Sequence, residues 1–236
     1  MSQWPTEVYT QKLTMSTGGV EYTFQKATML DKDFVLSCWD EAKPISTFAD
    51  IMTESQYYDL VIQQSVNLTA PGTLPIPFET RNANILRADG VRVGYMQGRW
   101  RRLESAEDDN IISDKVFTHV HKDFRGKGYY KIMTGFATYN AFVLYGAPKS
   151  GYTILDTSIP AKKLHTDLDA TYKGSEPTSY YGEIHQLETS ETNWKPYRES
   201  RGWEYVRTSE MIPITDSRWA TPAITLDSGT RKWNTI

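Results

Sequence analysis

Between Lys115 and Asn140 the chain changes its hydrophobic period once, from strand-like to helical, across a turn that holds two glycines and two cations. Lys115-Val116-Phe117-Thr118-His119-Val120-His121 is a β-branched and aromatic run, which suits a strand. From Gly128 onward, Tyr129, Ile132, Met133, Phe136, Ala137 and Asn140 fall at helical spacing and mark one face of a long helix that stops near Gly146 and Pro148. Tyr152-Thr153-Ile154-Leu155 then supplies another strand. A strand, a helix and a second strand in this order imply a right-handed crossover over a sheet.

The remaining elements fit such a sheet. Val20 to Ala27 alternates apolar and polar side chains, as a half-buried strand does. Asp31 is an N-cap candidate for a helix carrying Phe34, Val35, Cys38 and Trp39 on one face and ending before Pro44. A second helix is expected over Thr53 to Asn67, then a proline-bearing loop over Pro71 to Phe78. Asn84 to Arg87 and Val91 to Met96 flank Asp89-Gly90, a hairpin signal because both turn positions tolerate positive φ. Ser158 to Glu188 is polar, without a sustained period, and reads as an insertion. A short helix over Lys195 to Arg201, a strand over Trp203 to Arg207 and a weak strand over Ala220 to Thr225 follow. One α/β or α+β domain over 1–236 is expected, with extensions at 1–19 and 211–236 and the insertion at 158–188.

With 39% hydrophobic and 13% aromatic residues, the 236-residue chain has enough bulk to bury a core, and global disorder is excluded. A net charge of -3 gives no overall field for a nucleic-acid backbone or an anionic membrane. Cys38 is the only cysteine, so no intrachain disulfide forms, and a reducing, cytoplasmic location is expected. No apolar run approaches the roughly 20 residues of a membrane-spanning helix, and the start lacks the pattern of a secretion signal.

The chemistry is concentrated at Lys122-Asp123-Phe124-Arg125-Gly126-Lys127-Gly128-Tyr129-Tyr130. Glycines at a strand-to-helix turn let backbone N–H groups approach a ligand, and the helix start adds unpaired donors and a positive dipole end. Gly-x-Gly alone also serves where a turn merely needs room. The strand before it, the amphipathic helix after it and the cations Arg125 and Lys127 favour an anion site. The segment spells neither the phosphate loop Gly-x-x-x-x-Gly-Lys-Ser/Thr nor the dinucleotide pattern Gly-x-Gly-x-x-Gly.

This segment resembles the phosphate motif Arg/Gln-x-x-Gly-x-Gly/Ala of the GNAT acyltransferases, with Arg125 and Gly128 in place and Tyr130 at the last small position. Ala88 to Tyr95 is similar to that family's preceding hairpin, and Tyr197 to Trp203 to its late segment Tyr-x-x-x-Gly-Phe, with Tyr197 one residue farther from Gly202. The resemblance spans roughly Val20 to Glu210. It implies a mixed, mostly antiparallel sheet flanked by helices, and transfer of an acetyl group from acetyl-CoA to a primary amine by direct attack. The cosubstrate is then held by Thr118 and Val120, whose backbone would pair with the pantetheine arm, and by Arg125, Gly126, Lys127, Gly128, Tyr129 and Tyr130. Tyr197 is the implied general acid; Asp114, His119 and Glu104 are candidate bases. The acceptor is an amine-bearing small molecule or protein.

Other candidates carry blander readings. His119-x-His121 places two imidazoles on one strand face, but zinc needs more ligands and only His165 and His185 remain, so no metal is expected. Asp156 at a strand end suits an acceptor amine or a turn cap. Arg99-Trp100-Arg101-Arg102 suits RNA, a CoA phosphate or the solvated end of a strand. The competing expectation is a non-catalytic GNAT-fold structural or interaction subunit, of viral or phage origin, working in an oligomer or larger assembly through its aromatic insertion.

Overall fold

The computed structural model describes residues 7–42, 79–102, 111–144, 146–155, 158–178, 182–213, 216 and 218. The expected helix over Thr53 to Asn67, the loop Pro71 to Phe78, Glu104, Asp156 and the strand Ala220 to Thr225 lie outside these residues.

Among the described residues nine strands form the sheet: β1 (Glu7–Thr17), β2 (Val20–Lys26), β3 (Glu79–Ala88), β4 (Val91–Arg102), β5 (Ile111–Val120), β6 (Lys149–Leu155), β7 (Thr171–Thr178), β8 (Gly182–Ser190) and β9 (Val206–Pro213). The described residues also hold the α-helices α1 (Lys32–Ala42), α2 (Tyr129–Tyr139), α3 (Ile159–Asp167) and α4 (Glu191–Glu199). A π-helical turn, Asn140–Leu144, continues α2. The spatial order is β7-β8-β6-β5-β4-β3-β2-β1-β9.

Six strands, β9 to β5 in that order, pair antiparallel, as do the three strands β6, β8 and β7. The two groups meet in one parallel pair, β5 with β6, whose register runs only from Ile112↔Lys149 to Lys115↔Tyr152. Beyond it β5 stays paired with β4 as far as Val120, and β6 with β8 as far as Leu155. The sheet is therefore split between the two strands that α2 connects.

The β3–β4 turn is Asp89-Gly90, with φ of 47° and 80°, the backbone that a two-residue hairpin needs. Helix α2 lies on the sheet with Phe136 stacked on Phe24, ring centroids 5.5 Å apart. Ile132, Met133 and Phe136 are buried as the periodicity requires, and Thr134, Gly135 and Thr138 on other sides are buried too. The second cover is the segment after α4. A Cβ on Gly135 would stand 2.6 Å from the Trp203 ring and 2.8 Å from the Tyr205 hydroxyl, so only glycine allows this approach.

Two expectations change and one gains detail. Residues 158–188, expected as an insertion, hold α3, β7 and most of β8; the start of β7, Thr171 to Ser175, is largely exposed and so leaves no apolar period in the sequence. Residues 1–19 contribute β1, an interior strand, where an extension was expected. The last described strand begins at Val206, pairs with β1 and forms the edge opposite β7.

Lys26 ends β2 on the face that carries Tyr22 and Phe24, and burial lowers its ammonium pKa from 10.5 to about 7. Between these values the unfolded chain holds a proton that the folded chain lacks. Stability thus rises with pH across that window, by at most ~1.4 kcal/mol per unit. Lys26→Met is expected to flatten the slope in urea titrations between pH 7 and 10; an unchanged slope contradicts this role.

Candidate functional site

The site lies where the split in the sheet meets the start of α2. His121 N–H donates to the Val93 carbonyl at 3.1 Å, so in the alternating antiparallel ladder the odd residues of β5 face β4. Thr118 and Val120 thus turn their backbone groups toward the split. The Val120 carbonyl is reached there by Arg125 Nε at 3.0 Å.

The turn from β5 to α2 is a short 3-10 segment, Lys122–Phe124, followed by Arg125-Gly126-Lys127-Gly128. Gly126 and Gly128 have φ of 82° and 81°, and a Cβ on either would meet no atom within 4 Å. Gly128 caps α2 without any side-chain hydrogen bond, and Ile132 N–H donates to the Gly128 carbonyl at 3.2 Å, closing the first turn of the helix. The amides of Gly128, Tyr129, Tyr130 and Lys131 are the four that helix geometry leaves without an intrahelical acceptor. They open on an exposed corner at the positive end of the helix dipole. These features fit the diphosphate of a CoA molecule, since the space is open and the donors are backbone groups.

The two cations are placed differently from one another. Lys127 lies with its ammonium 5.7 Å from the centre of the Phe124 ring, while Arg125 turns back toward β5. The Arg125 guanidinium donates to Glu41 Oε2 at 3.0 Å. Tyr130 does not crowd the corner: its hydroxyl lies 3.2 Å from His165 Nε2 on α3, and burial pushes its pKa up. Tyr129 packs edge-on against Tyr22 and Phe124.

Glu41, near the C-terminal end of α1, gathers the groups at the end of β5. Its oxygens lie 2.9 Å from His119 Nε2 and 3.3 Å from His121 Nε2. They also accept the Lys122 N–H at 3.2 and 3.0 Å. Burial opposes ionisation of Glu41, but the bonds from His119 and the Lys122 amide outweigh it and hold the carboxyl below its usual value. Burial lowers the His119 pKa, against the pull of Glu41. Sequence periodicity gave no hint of Glu41, because only the apolar face of α1 repeats. The local mark of this cluster in the sequence is the His119-x-His121 spacing, which sets two imidazoles on one strand face.

Tyr197 stands apart from the glycine corner. It lies on α4, its hydroxyl buried without a hydrogen-bond partner among the described residues, with Arg201 3.5 Å over its ring and Trp203 edge-on. Burial raises the Tyr152 pKa on β6, and the Tyr197 phenol adds a small push in the same direction. Burial raises its pKa, partly offset by Arg201. Asp114 lies in the β5 register opposite Arg99 and Gly151. Among the described residues, no group of His, Cys, Asp and Glu is arranged to hold a metal ion, and no helix is long and apolar enough to cross a membrane.

No protein-family model matches the sequence, and no curated protein matches it by sequence. Solved structures do match. An uncharacterized protein from Bacillus halodurans superposes with a TM-score of 0.61 at 9% identity, over 80% of this chain and 97% of that one. A chimera of spermidine N-acetyltransferase SpeG from Vibrio cholerae and hSSAT gives 0.54 at 9% identity, over 74% and 98%. Arabidopsis thaliana NAA60 in complex with a bisubstrate analogue gives 0.52 at 12% identity, over 72% and 97%. With the split sheet and the glycine corner, these neighbours identify the architecture as a divergent form of the GNAT N-acetyltransferase fold.

Proposed function

We propose that the protein is an N-acyltransferase that takes an acetyl group from acetyl-CoA and passes it to a primary amine. The observation that carries this reading is the meeting of the β5–β6 split with four helix-start amides at an open glycine corner. A solved NAA60 structure contains acetyl-CoA on the same fold, and other neighbours are named as N-acetyltransferases, which supports an amine acceptor.

Acetyl-CoA supplies a thioester carbonyl open to attack by a neutral amine. The chain's own groups do the rest. Amides of Gly128 to Lys131 hold the diphosphate, aided by Lys127 and by Arg125 once it turns outward. Backbone groups of Thr118 and Val120 orient the pantetheine arm as an added strand would. Tyr197, whose raised pKa keeps its phenol protonated, is the proposed donor to the departing thiolate.

The test is thiol release from acetyl-CoA with a panel of primary amines, polyamines and peptides. At least one amine is expected to be turned over, and Tyr197→Phe to slow it by about 100-fold. A Tyr197→Phe rate equal to wild type removes that residue from the chemistry. A protein that binds CoA but turns over no amine supports the non-catalytic subunit instead.

A further inference from the structure

A CoA molecule placed as proposed spans two parts of the chain, its diphosphate at the start of α2 and its pantetheine arm between β5 and β6. The main chain joins these two strands from Ile112↔Lys149 to Lys115↔Tyr152. Among the described residues no β5–β6 main-chain pair lies past Tyr152, so side chains set the spacing there. We infer that the Tyr130 side chain, docked on His165 of α3, is a positioning residue for the cosubstrate: it fixes the first turn of α2 to the half of the sheet beyond the split. This rests on the acyl-transfer reading above, which gives Tyr130 no role beyond its backbone amide.

Three observations converge. First, Tyr130 sits in the first turn of α2, among the four residues whose amides have no intrahelical acceptor. That turn is held less by the helix than the turns after it. Second, the Tyr130 hydroxyl lies 3.2 Å from His165 Nε2, and the two rings meet edge to face with centroids 6.4 Å apart. Burial pushes the Tyr130 pKa up, so the phenol keeps its proton at neutral pH. His165 is 1% exposed, so this contact is internal. Third, His165 packs on β6. Its ring centroid lies 4.2 Å from that of Tyr152, the last β6 residue paired with β5. The Tyr152 hydroxyl lies 2.8 Å from Thr138 Oγ1, which donates to the Thr134 carbonyl at 2.7 Å, so Tyr152 is the donor of that pair.

Helix α2 is thus pinned to the β6 side twice, at Thr138 by Tyr152 and at Tyr130 by His165. The second pin sits at the end of the helix that faces the glycine corner. Because α2 follows β5 and α3 follows β6, it also joins the helices that leave the two banks of the split. A phenol in this place turns away from the corner and makes a bond that glycine or alanine there cannot make. Without it the first turn is free to tilt, and the amides of Gly128 to Lys131 lose their aim relative to the β5–β6 gap.

The test is the Kd of CoA, measured by calorimetry on the full-length protein, with urea unfolding beside it. Tyr130→Phe keeps the ring, removes the hydroxyl, and is expected to weaken CoA binding by about 5- to 20-fold. His165→Phe is expected to show a loss of the same size. The double variant should lose no more than the larger single loss, because both changes remove one contact. His165→Gln, whose amide reaches the position of Nε2, is expected to bind CoA to within about threefold of wild type. A purely structural Tyr130 lowers the urea midpoint and leaves the Kd where it was. Should His165→Phe fail to fold, Tyr130→Phe and His165→Gln carry the test between them. A Tyr130→Phe Kd within about twofold of wild type, single losses that multiply in the double variant, or a His165→Gln loss as large as that of Tyr130→Phe overturns the inference and leaves the cradle intact. A wild type that binds no CoA overturns both, and is seen before any variant is made.

Discussion

Asp31→Ala is expected to lower the free energy of unfolding by about 3–5 kcal/mol, the largest loss from any single truncation argued from these contacts. The Asp31 side chain is 1% exposed and pairs with the Arg87 guanidinium, itself 18% exposed, with Arg92 at 3.8 Å. Its other oxygen accepts the Thr28 N–H at 3.1 Å and the Thr28 hydroxyl at 3.4 Å, closing the turn that leads into α1. Alanine removes both partnerships at once and leaves Arg87 in a half-dry site with its charge uncompensated. Asp31→Asn keeps the Thr28 acceptor and loses only the charge, so it should cost less. The midpoint of denaturant unfolding measures both, and a loss below about 1 kcal/mol for alanine would show that Arg87 finds water or another partner.

Gly128→Asp is expected to weaken CoA binding by about 100-fold or more while leaving the fold in place. A Cβ at Gly128 meets nothing within 4 Å, so the site has room for a side chain. The positive φ of 81° costs about 1–2 kcal/mol for a residue with a Cβ. A carboxylate set against a diphosphate about 4 Å away adds roughly 4 kcal/mol of repulsion at the effective dielectric of a protein surface, less after screening by salt. Gly128→Ala bears only the backbone strain and separates the two effects. It should cost about tenfold. Equal losses for alanine and aspartate would mean that the corner matters for its shape and does not face an anion.

What the sequence disclosed about this protein follows the range of the forces involved. The Asp89-Gly90 turn, the alternation of β2 and the apolar face of α2 are local, and each shows as a period or a pair of turn residues. The glycine corner was legible for the same reason: its donors belong to the helix start itself. Pairing between distant segments leaves no such mark. Nothing near Val206 announces that β9 joins β1, which lies about 200 residues earlier in the chain. Helix α3 has few buried positions, Ala161, Leu164 and His165, too few to set a period in a polar stretch. Glu41 reads as the solvated end of an amphipathic helix until folding brings α1 against β5. Arg125, a cation in a glycine loop, reads as a phosphate ligand, yet here its guanidinium is divided between Glu41 and the Val120 carbonyl.

With Arg125 on Glu41 the loop is tied to α1. A diphosphate held at the helix start, as proposed, would compete with Glu41 for the same guanidinium. The backbone amides remain the primary contact, because they are fixed by the helix and need no rearrangement.

The most direct measurement is a titration of the 15N-labelled protein with CoA, followed at the backbone amides. The fold and the site described above predict that the resonances of Gly126 to Lys131 and of Thr118 and Val120 move together and saturate at one CoA per chain. Saturating shifts confined to other regions, or none at millimolar CoA, would contradict the assignment of this corner as the cradle of a thioester-bearing nucleotide.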